Sequence, residues 1–306
     1  MKKTIALAAS ALALAAITSV AARADDTSQQ QIQTLLANQA ASIVSIKVVI
    51  KTQVKMSGQA QDSESRADLV GTVVTPDGLI MVSNAPFDSK NLGEMLGMPD
   101  NAGFDMKMTP TDFKVVIGNE EKQYSAYLAA TDPNRGLAFI KVQDLGDRKL
   151  QPADFTSTTT PTEGERVYVV NRLGKGYDYA PYLQAGDVYG EIDKPQKAWI
   201  IGDNLDVGLP VFSPAGEALG VMTTVRSGVT EPPSSSGMGL GMIMRMATGG
   251  GGAAMSNTFL VPASVISGVI TLAKQQAAAK PAPPMSTTPA KPTKPTAPTP
   301  VPTAPK

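Results

Sequence analysis

The strongest constraint on the fold is a repeated cadence of short β-branched and aliphatic runs, each ended by a tight turn. Ile43–Lys51 is nearly continuous in residues that favour an extended, pleated backbone. Leu69–Thr75 and Leu79–Ser83 flank Pro76-Asp77-Gly78. That tripeptide supplies a fixed φ, a side chain that bonds its own backbone, and a residue free to take positive φ. Further runs stand at Phe113–Ile117, Tyr124–Ala130 and Leu137–Val142. After a Thr-, Pro- and Gly-rich stretch over Asp144–Glu165, read as a linker, they resume at Arg166–Asn171, Tyr182–Ile192, Ala198–Ile201, Pro210–Phe212, Ala218–Val225 and Thr258–Val261. Ser213-Pro214-Ala215-Gly216 is a second tight turn. Many short strands in two groups predict an all-β body of barrels or sandwiches, and composition does not choose between them. Helical spacing of Ile32, Leu35 and Leu36 predicts a short helix within Asp25–Ala41, and Pro262 opens a final helix reaching about Ala279.

The chain holds no cysteine, so disulfides cannot staple it and a packed core must hold it together. Lys2 and Lys3, the apolar run Ile5–Val20 and the small residues Ala22-Arg23-Ala24 read as a secretion signal over residues 1–24, cleaved after Ala24. A periplasmic or secreted location is expected, and no later stretch is long and apolar enough to span a bilayer. The net charge of +0 conceals an asymmetry. Residues 25–279 carry 20 basic and 27 acidic groups, whereas the tail, 280–306, has four Lys, ten Pro and no acid. An acidic body lacks the concentrated basic face of a nucleic-acid binder. The tail cannot build a core. It reads as extended or disordered, reaching about 80 Å at 3.1 Å per residue. It serves either as a solubilising tail or as a cationic contact to an anionic envelope polymer.

Four stretches, in order and spacing, resemble the protease domain of HtrA/Deg-type trypsin-like serine proteases. Val70-Gly71-Thr72-Val73-Val74 with Pro76-Asp77-Gly78 and Leu79-Ile80-Met81-Val82-Ser83-Asn84 resembles the strand, turn and strand leading to the catalytic histidine. Thr131-Asp132-Pro133-Asn134-Arg135-Gly136-Leu137-Ala138 resembles the stretch with the catalytic aspartate. Leu205-Asp206-Val207-Gly208-Leu209-Pro210 resembles the nucleophile loop, and Thr258-Phe259-Leu260-Val261-Pro262 the end of the domain. The resemblance implies two antiparallel β-barrels, at about 41–145 and 160–262, within a domain over 25–279. It also leaves no length for a PDZ module before the tail.

Carried over by position, the resemblance puts Ala85 at the histidine, Gly136 at the aspartate and Val207 at the serine, and Leu205 at a glycine of the oxyanion hole. The chain contains no histidine anywhere. The hydrolytic chemistry needs a nucleophilic oxygen, a base for its proton and an acid that orients the base. None of the three side chains supplies its part. Leu205 also replaces a residue whose backbone freedom the oxyanion donor uses. A non-enzymatic protein without cofactor is expected, with a cleft that binds a peptide segment or a partner protein. The alternative of another class is a serine-type endopeptidase with an unrecognised nucleophile.

Fourteen Met against seven Phe is a further departure. Nine lie in two stretches read as loops by composition. One, Asp88–Asp112, holds Met95, Met98, Met106 and Met108; the other, Ser227–Asn257, holds Met238, Met242, Met244, Met246 and Met255. On the resemblance, both border the former cleft. Three readings stand: side chains packed on the barrels, an adaptable apolar surface for a peptide or partner, or a Cu(I)/Ag(I) site of thioethers at Met242, Met244 and Met246. Arg245 in the middle and the lack of His and Cys count against the metal.

Overall fold

The computed structural model describes residues 29–56, 59–87, 104–202, 205–224 and 258–280. The signal segment, Met95, Met98, the whole second Met stretch and the tail beyond Lys280 lie outside the described residues.

Helix α1 (29–39) is followed by a 3-10 turn, Ala40–Ser42. Six strands then form the first barrel: β1 (Ile43–Met56), β2 (Gln59–Val73), β3 (Leu79–Ser83), β4 (Phe104–Val116), β5 (Gln123–Asp132) and β6 (Leu137–Val142). Six more form the second: β7 (Arg166–Arg172), β8 (Pro181–Ile192), β9 (Ala198–Ile201), β10 (Pro210–Phe212), β11 (Ala218–Thr224) and β12 (Thr258–Pro262). Helix α2 (Ala263–Ala279) closes the described body. Both barrels are closed and every strand pair is antiparallel, the first ordered β1-β2-β3-β6-β5-β4 and the second β10-β11-β12-β9-β8-β7.

Strand periodicity explains the composition. Alternate side chains of a strand face opposite ways. Val44, Ile46, Val48 and Ile50 of β1 fill the first barrel with Ile80, Val82, Phe113, Val115 and Ile140. Val167, Val169, Trp199, Val211 and Leu219 fill the second. The intervening residues are not left to solvent. Ile43, Leu79, Met81, Leu137 and Phe139 from the first barrel meet Tyr168, Val170, Phe212, Val221 and Val261 from the second in a third cluster. Leu79–Val82 and Leu137–Ile140 are therefore buried on both faces, which is why they read as unbroken apolar runs instead of alternating ones.

Helix α2 adds Ala263, Ile266, Val269, Ile270 and Ala273 to this shared cluster. Their spacing puts them on one face of a helix. The helix packs against β5 of one barrel and β11 and β12 of the other. It starts at Ala263, one residue later than the sequence suggests, because Pro262 keeps an extended ψ of 150° as the last strand residue and N-cap. At its far end the Lys280 ammonium donates to the Leu128 carbonyl at 2.6 Å.

The joint between the barrels has a polar pin. Arg172, at the end of β7, is buried. It donates from Nε to the Ile43 carbonyl (2.6 Å), from Nη2 to Ala40 (2.6 Å) and from Nη1 to Tyr179 (2.9 Å). The chain's entry into β1 is thereby tied to the second barrel.

Two expectations are corrected. Strands β1, β2 and β4 run well past the predicted ends at Lys51, Leu69 and Phe113, forming a three-stranded blade in which Met56 pairs with both Gln59 and Phe104. The segment Ala60–Arg66 is exposed on both faces, so its sequence carries no hydrophobic alternation; the hydrogen-bonded ladder alone makes it a strand. Met106 and Met108, expected in a loop, therefore lie on β4 opposite Val54 and Thr52. The blade leaves the barrel at a register shift in the β1–β4 pairing, where Asp112 takes a φ of 47°. The second correction concerns the linker. Residues 144–165 carry no strand, as expected, yet Leu150, Ala153 and Phe155 are buried. The Leu150 and Ala153 N–H groups bond the Pro76 and Val73 carbonyls, both at 2.9 Å, so this segment is strapped to the first barrel.

The Pro76-Asp77-Gly78 turn shows how a local motif is locked. Gly78 takes a φ of 85°, the Thr75 hydroxyl donates to the Asp77 carboxylate, and the Lys141 ammonium lies 2.7 Å from its other oxygen. Burial pushes this carboxyl up, but the Lys141 and Thr75 hydrogen bonds and the Lys141 charge outweigh it and hold it below the ordinary 3.8. A carboxyl depressed on folding stabilises the fold above its unfolded value, and that contribution vanishes as pH falls through the folded value. Asp77 is largely exposed, so the effect is at most about 1 kcal/mol. Asp77→Asn is expected to lower stability by that order at pH 7 and to converge with the parent at an acid pH below the folded value of this carboxyl. Urea titrations at both pH values measure this; an equal gap at both would show that the charge has no part in it.

Candidate functional site

The three loops that carry Ala85, Gly136 and Val207, expected from the sequence at the triad positions, meet through the main chain. Strand β3 ends at Ser83, and a 3-10 turn, Ala85–Phe87, follows. Between them the Asn84 N–H donates to the Gly136 carbonyl at 2.7 Å. Gly136 closes the turn before β6 at a φ of 63°, a conformation that side-chain-bearing residues rarely adopt. Its neighbour Leu137 pairs directly with Ser83.

The third loop arrives from the other barrel. Gly208, at a φ of 89°, donates its N–H to the Met222 carbonyl at 2.7 Å. A Cβ on Gly208 would come within 2.5 Å of the Ser83 nitrogen and 3.0 Å of the Val82 carbonyl carbon. Only a glycine lets this loop rest directly on the end of β3.

The main chain brings Ala85, Gly136 and Val207 to one junction. Ala85 follows the residue that bonds Gly136, and Val207 precedes the glycine that touches Ser83. Ala85 is exposed, Val207 half-buried and Gly136 buried. Leu205 sits elsewhere in character: its side chain is buried in the second barrel's core, and a Cβ on Gly186 would lie 3.3 Å from its Cδ1.

The junction also holds a charge that the sequence reading passed over. Asp206 is exposed and accepts hydrogen bonds from the Asn171 amide and, at 3.1 Å, from the Gln184 amide. Burial first, and then the nearby Asp206 charge, pushes the Tyr182 phenol above its ordinary 10.0. Both of these hydrogen-bond partners are neutral amides. Asp206 is the one ionisable residue in Leu205–Pro210, a signal that was available in the sequence.

Of the methionines proposed as contacts, Met106 and Met108 are half-buried on β4. Met108 packs on the first barrel's cluster with Phe87, two residues beyond Ala85; Phe87 and Phe113 meet edge to face, with ring centroids 5.9 Å apart. This brings the base of the blade beside the junction. Met95, Met98, Met238, Met242, Met244 and Met246 lie outside the described residues.

Because Gly208 combines positive φ with a backbone neighbour that cannot swing away, Gly208→Ala is expected to cost about 2–4 kcal/mol. Gly216, also at positive φ but with open space around its Cβ position, serves as the control, and its alanine variant is expected to lose about 1 kcal/mol. Chemical denaturation of the two variants tests this. Equal losses would mean that Gly208 does not dock on β3.

Residues 70–221 match a family model described as the trypsin-like peptidase domain. No curated protein matches the sequence. Solved structures similar to this chain include Deg5 (16% identity, TM-score 0.49, covering 81% of this chain and 96% of that one). They also include Rv3671c from M. tuberculosis H37Rv in an inactive serine-to-alanine form (15%, 0.44, 81% and 93%), and the same protease in its active form (16%, 0.44, 78% and 82%). The matched stretch runs from the end of β2 to β11 and contains all three loops of the junction, so over residues 70–221 this chain is similar to a trypsin-like peptidase domain.

Proposed function

We propose that this chain is an exported, non-catalytic trypsin-like protein that holds a peptide segment or a partner protein at the junction where Ala85, Gly136 and Val207 meet. One observation carries the reading: the main-chain frame that brings the three loops together is retained in a chain with no histidine, while the three side chains supply no nucleophile, base or orienting acid. A frame that persists without its reactive groups can still present backbone and shape to a ligand. The exposed Asp206 gives it a preference, since a carboxylate held by neutral amides favours a cationic residue in the bound segment. Export rests on the leader of residues 1–24. The proline-rich tail then serves as a cationic spacer toward an anionic envelope polymer.

The competing reading, an endopeptidase with an unrecognised nucleophile, has one specific support. The Ser83 hydroxyl lies at the junction, where it accepts from the Ala85 N–H at 3.3 Å. No titratable side chain bonds it among the described residues, so its proton has no acceptor there. The two readings separate in one experiment. The purified protein is incubated with casein, with fluorogenic peptides and with a serine-directed phosphonate probe, beside Ser83→Ala. No turnover and no labelling are expected in either protein. Labelling or turnover present in the parent and absent from Ser83→Ala would overturn the non-catalytic reading.

Binding is tested separately. A photo-crosslinking residue at position 85 is expected to capture a peptide ligand, and peptides containing Lys or Arg are expected to outcompete their norleucine counterparts. Asp206→Asn is expected to remove that preference with a loss of affinity of up to about 5-fold, the scale of an exposed ion pair. An unaltered peptide preference in Asp206→Asn would remove Asp206 from the site.

A further inference from the structure

The joint between the barrels encloses a second feature, away from the triad loops. A cavity of about 160 Å³ opens beside Arg172, between β1 and β2 of the first barrel and the end of β7 in the second. Leu69, Leu173 and Tyr179 give it apolar walls; Ser45 and Arg172 are its buried polar groups; Lys47 and Asp68, opposite each other across the β1–β2 pair, contribute its remaining charges.

Two groups in this cavity are left incomplete. Arg172 is a cation 9% exposed, and its three side-chain acceptors are all neutral carbonyls. No carboxylate pairs with it among the described residues, and burial alone pushes it below its ordinary value. A guanidinium carries five N–H groups. Three are used here, which leaves one uncommitted on each of Nη1 and Nη2. The second group is Ser45. It lies on the face of β1 that Ile43 uses to meet the other barrel, where an aliphatic residue would pack without penalty. Instead Ser45, 7% exposed as a residue, places there a buried hydroxyl with no hydrogen-bond partner. A buried polar atom without a partner costs about 1–3 kcal/mol, and an uncompensated buried cation costs more. One anion seated between them offsets both deficits.

We infer that this cavity is a binding site for a small aliphatic carboxylate, its oxygens taken by Arg172 and the Ser45 hydroxyl and its hydrocarbon part by Leu69, Leu173 and Tyr179. The planar guanidinium suits a carboxylate in particular, since two parallel N–H groups match its two oxygens. The volume sets the size. A cavity of about 150 Å³ holds a benzene, so roughly six heavy atoms fit, which corresponds to a four-carbon acid. The same chemistry is offered by a free short-chain acid and by the C-terminal carboxylate of a peptide ending in a small aliphatic residue. Lys47 strengthens the attraction for either source, and Asp68 at the exposed edge partly offsets it. This site is independent of the triad junction and stands whether or not that junction binds a peptide.

Calorimetric titration of the full chain tests the assignment with isobutyrate, its uncharged analogue isobutyramide, and a pentapeptide ending in valine as free acid and as amide. Isobutyrate is expected to saturate one site and isobutyramide to bind at least 10-fold more weakly. Tight binding of the peptide acid but not its amide would identify chain termini as the source; binding of isobutyrate alone would identify free acids. Ser45→Val, which keeps shape and removes the hydroxyl, is expected to weaken isobutyrate by about 5-fold. Leu173→Trp, which fills the mouth from an exposed position, is expected to abolish it. Arg172→Met is unsuitable alone because Arg172 also pins the fold. Equal binding of acid and amide, absence of saturation, or an unchanged affinity in both Ser45→Val and Leu173→Trp would each overturn the assignment.

Discussion

A buried charge with no carboxylate partner among the described residues holds the two barrels in register. Arg172 gathers the carbonyls of Ala40, Ile43 and Tyr179 around one guanidinium. Two of these belong to the segment that leads from α1 into the first barrel, and the third follows the 3-10 turn after β7 in the second. Around this pin, the apolar cluster shared by both barrels and α2 fixes the angle at which they meet. Apolar contact alone would allow small sliding of one barrel on the other, because burial is non-directional. Three hydrogen bonds from one rigid planar group do not allow it. Desolvating the cation is costly, and a fold that retains it gains a fixed joint in return.

On the proposed reading, that fixed joint explains how the junction keeps its frame without a reactive triad. The three triad loops come from both barrels, so their meeting depends on barrel register and on main-chain contacts. The Asn84–Gly136 hydrogen bond and the Gly208–Ser83 contact involve no side chain of the triad positions. Ala, Gly and Val at positions 85, 136 and 207 therefore leave the frame intact. Gly136 goes further: at a φ of 63° it is the residue that its own turn prefers.

Much of this was legible in the sequence because it is encoded locally. Pro76-Asp77-Gly78 names its own turn, and β6, β9 and β10 fall where their β-branched runs place them. The two groups of short strands were likewise readable, while their closure into barrels and the order of four motifs were expected only through the resemblance. What escaped was encoded at a distance. The blade formed by β1, β2 and β4 is polar over Ala60–Arg66, so no periodicity announces it, and Met106 and Met108 were read as loop residues for want of that pairing. The strapping of residues 144–165 depends on the Pro76 and Val73 carbonyls, some seventy-five residues earlier. Arg172 in the sequence is one arginine after an asparagine; only the assembled joint makes it a buried cation.

On the proposed reading, the departures from the hydrolytic pattern are also not independent of the fold. Leu205 fills space in the second barrel's core against Gly186, so returning a glycine there would open a cavity as well as free a backbone. Gly136 closes its turn at a φ of 63° with its carbonyl taken by the Asn84 N–H, a contact that needs no side chain at that position. Asp206 is bound to Asn171 and Gln184 and to no cation among the described residues. The junction has thus repacked around its present residues. Three point substitutions would restore the letters of a triad without its geometry, which is what distinguishes a settled binding surface from an enzyme missing a few atoms.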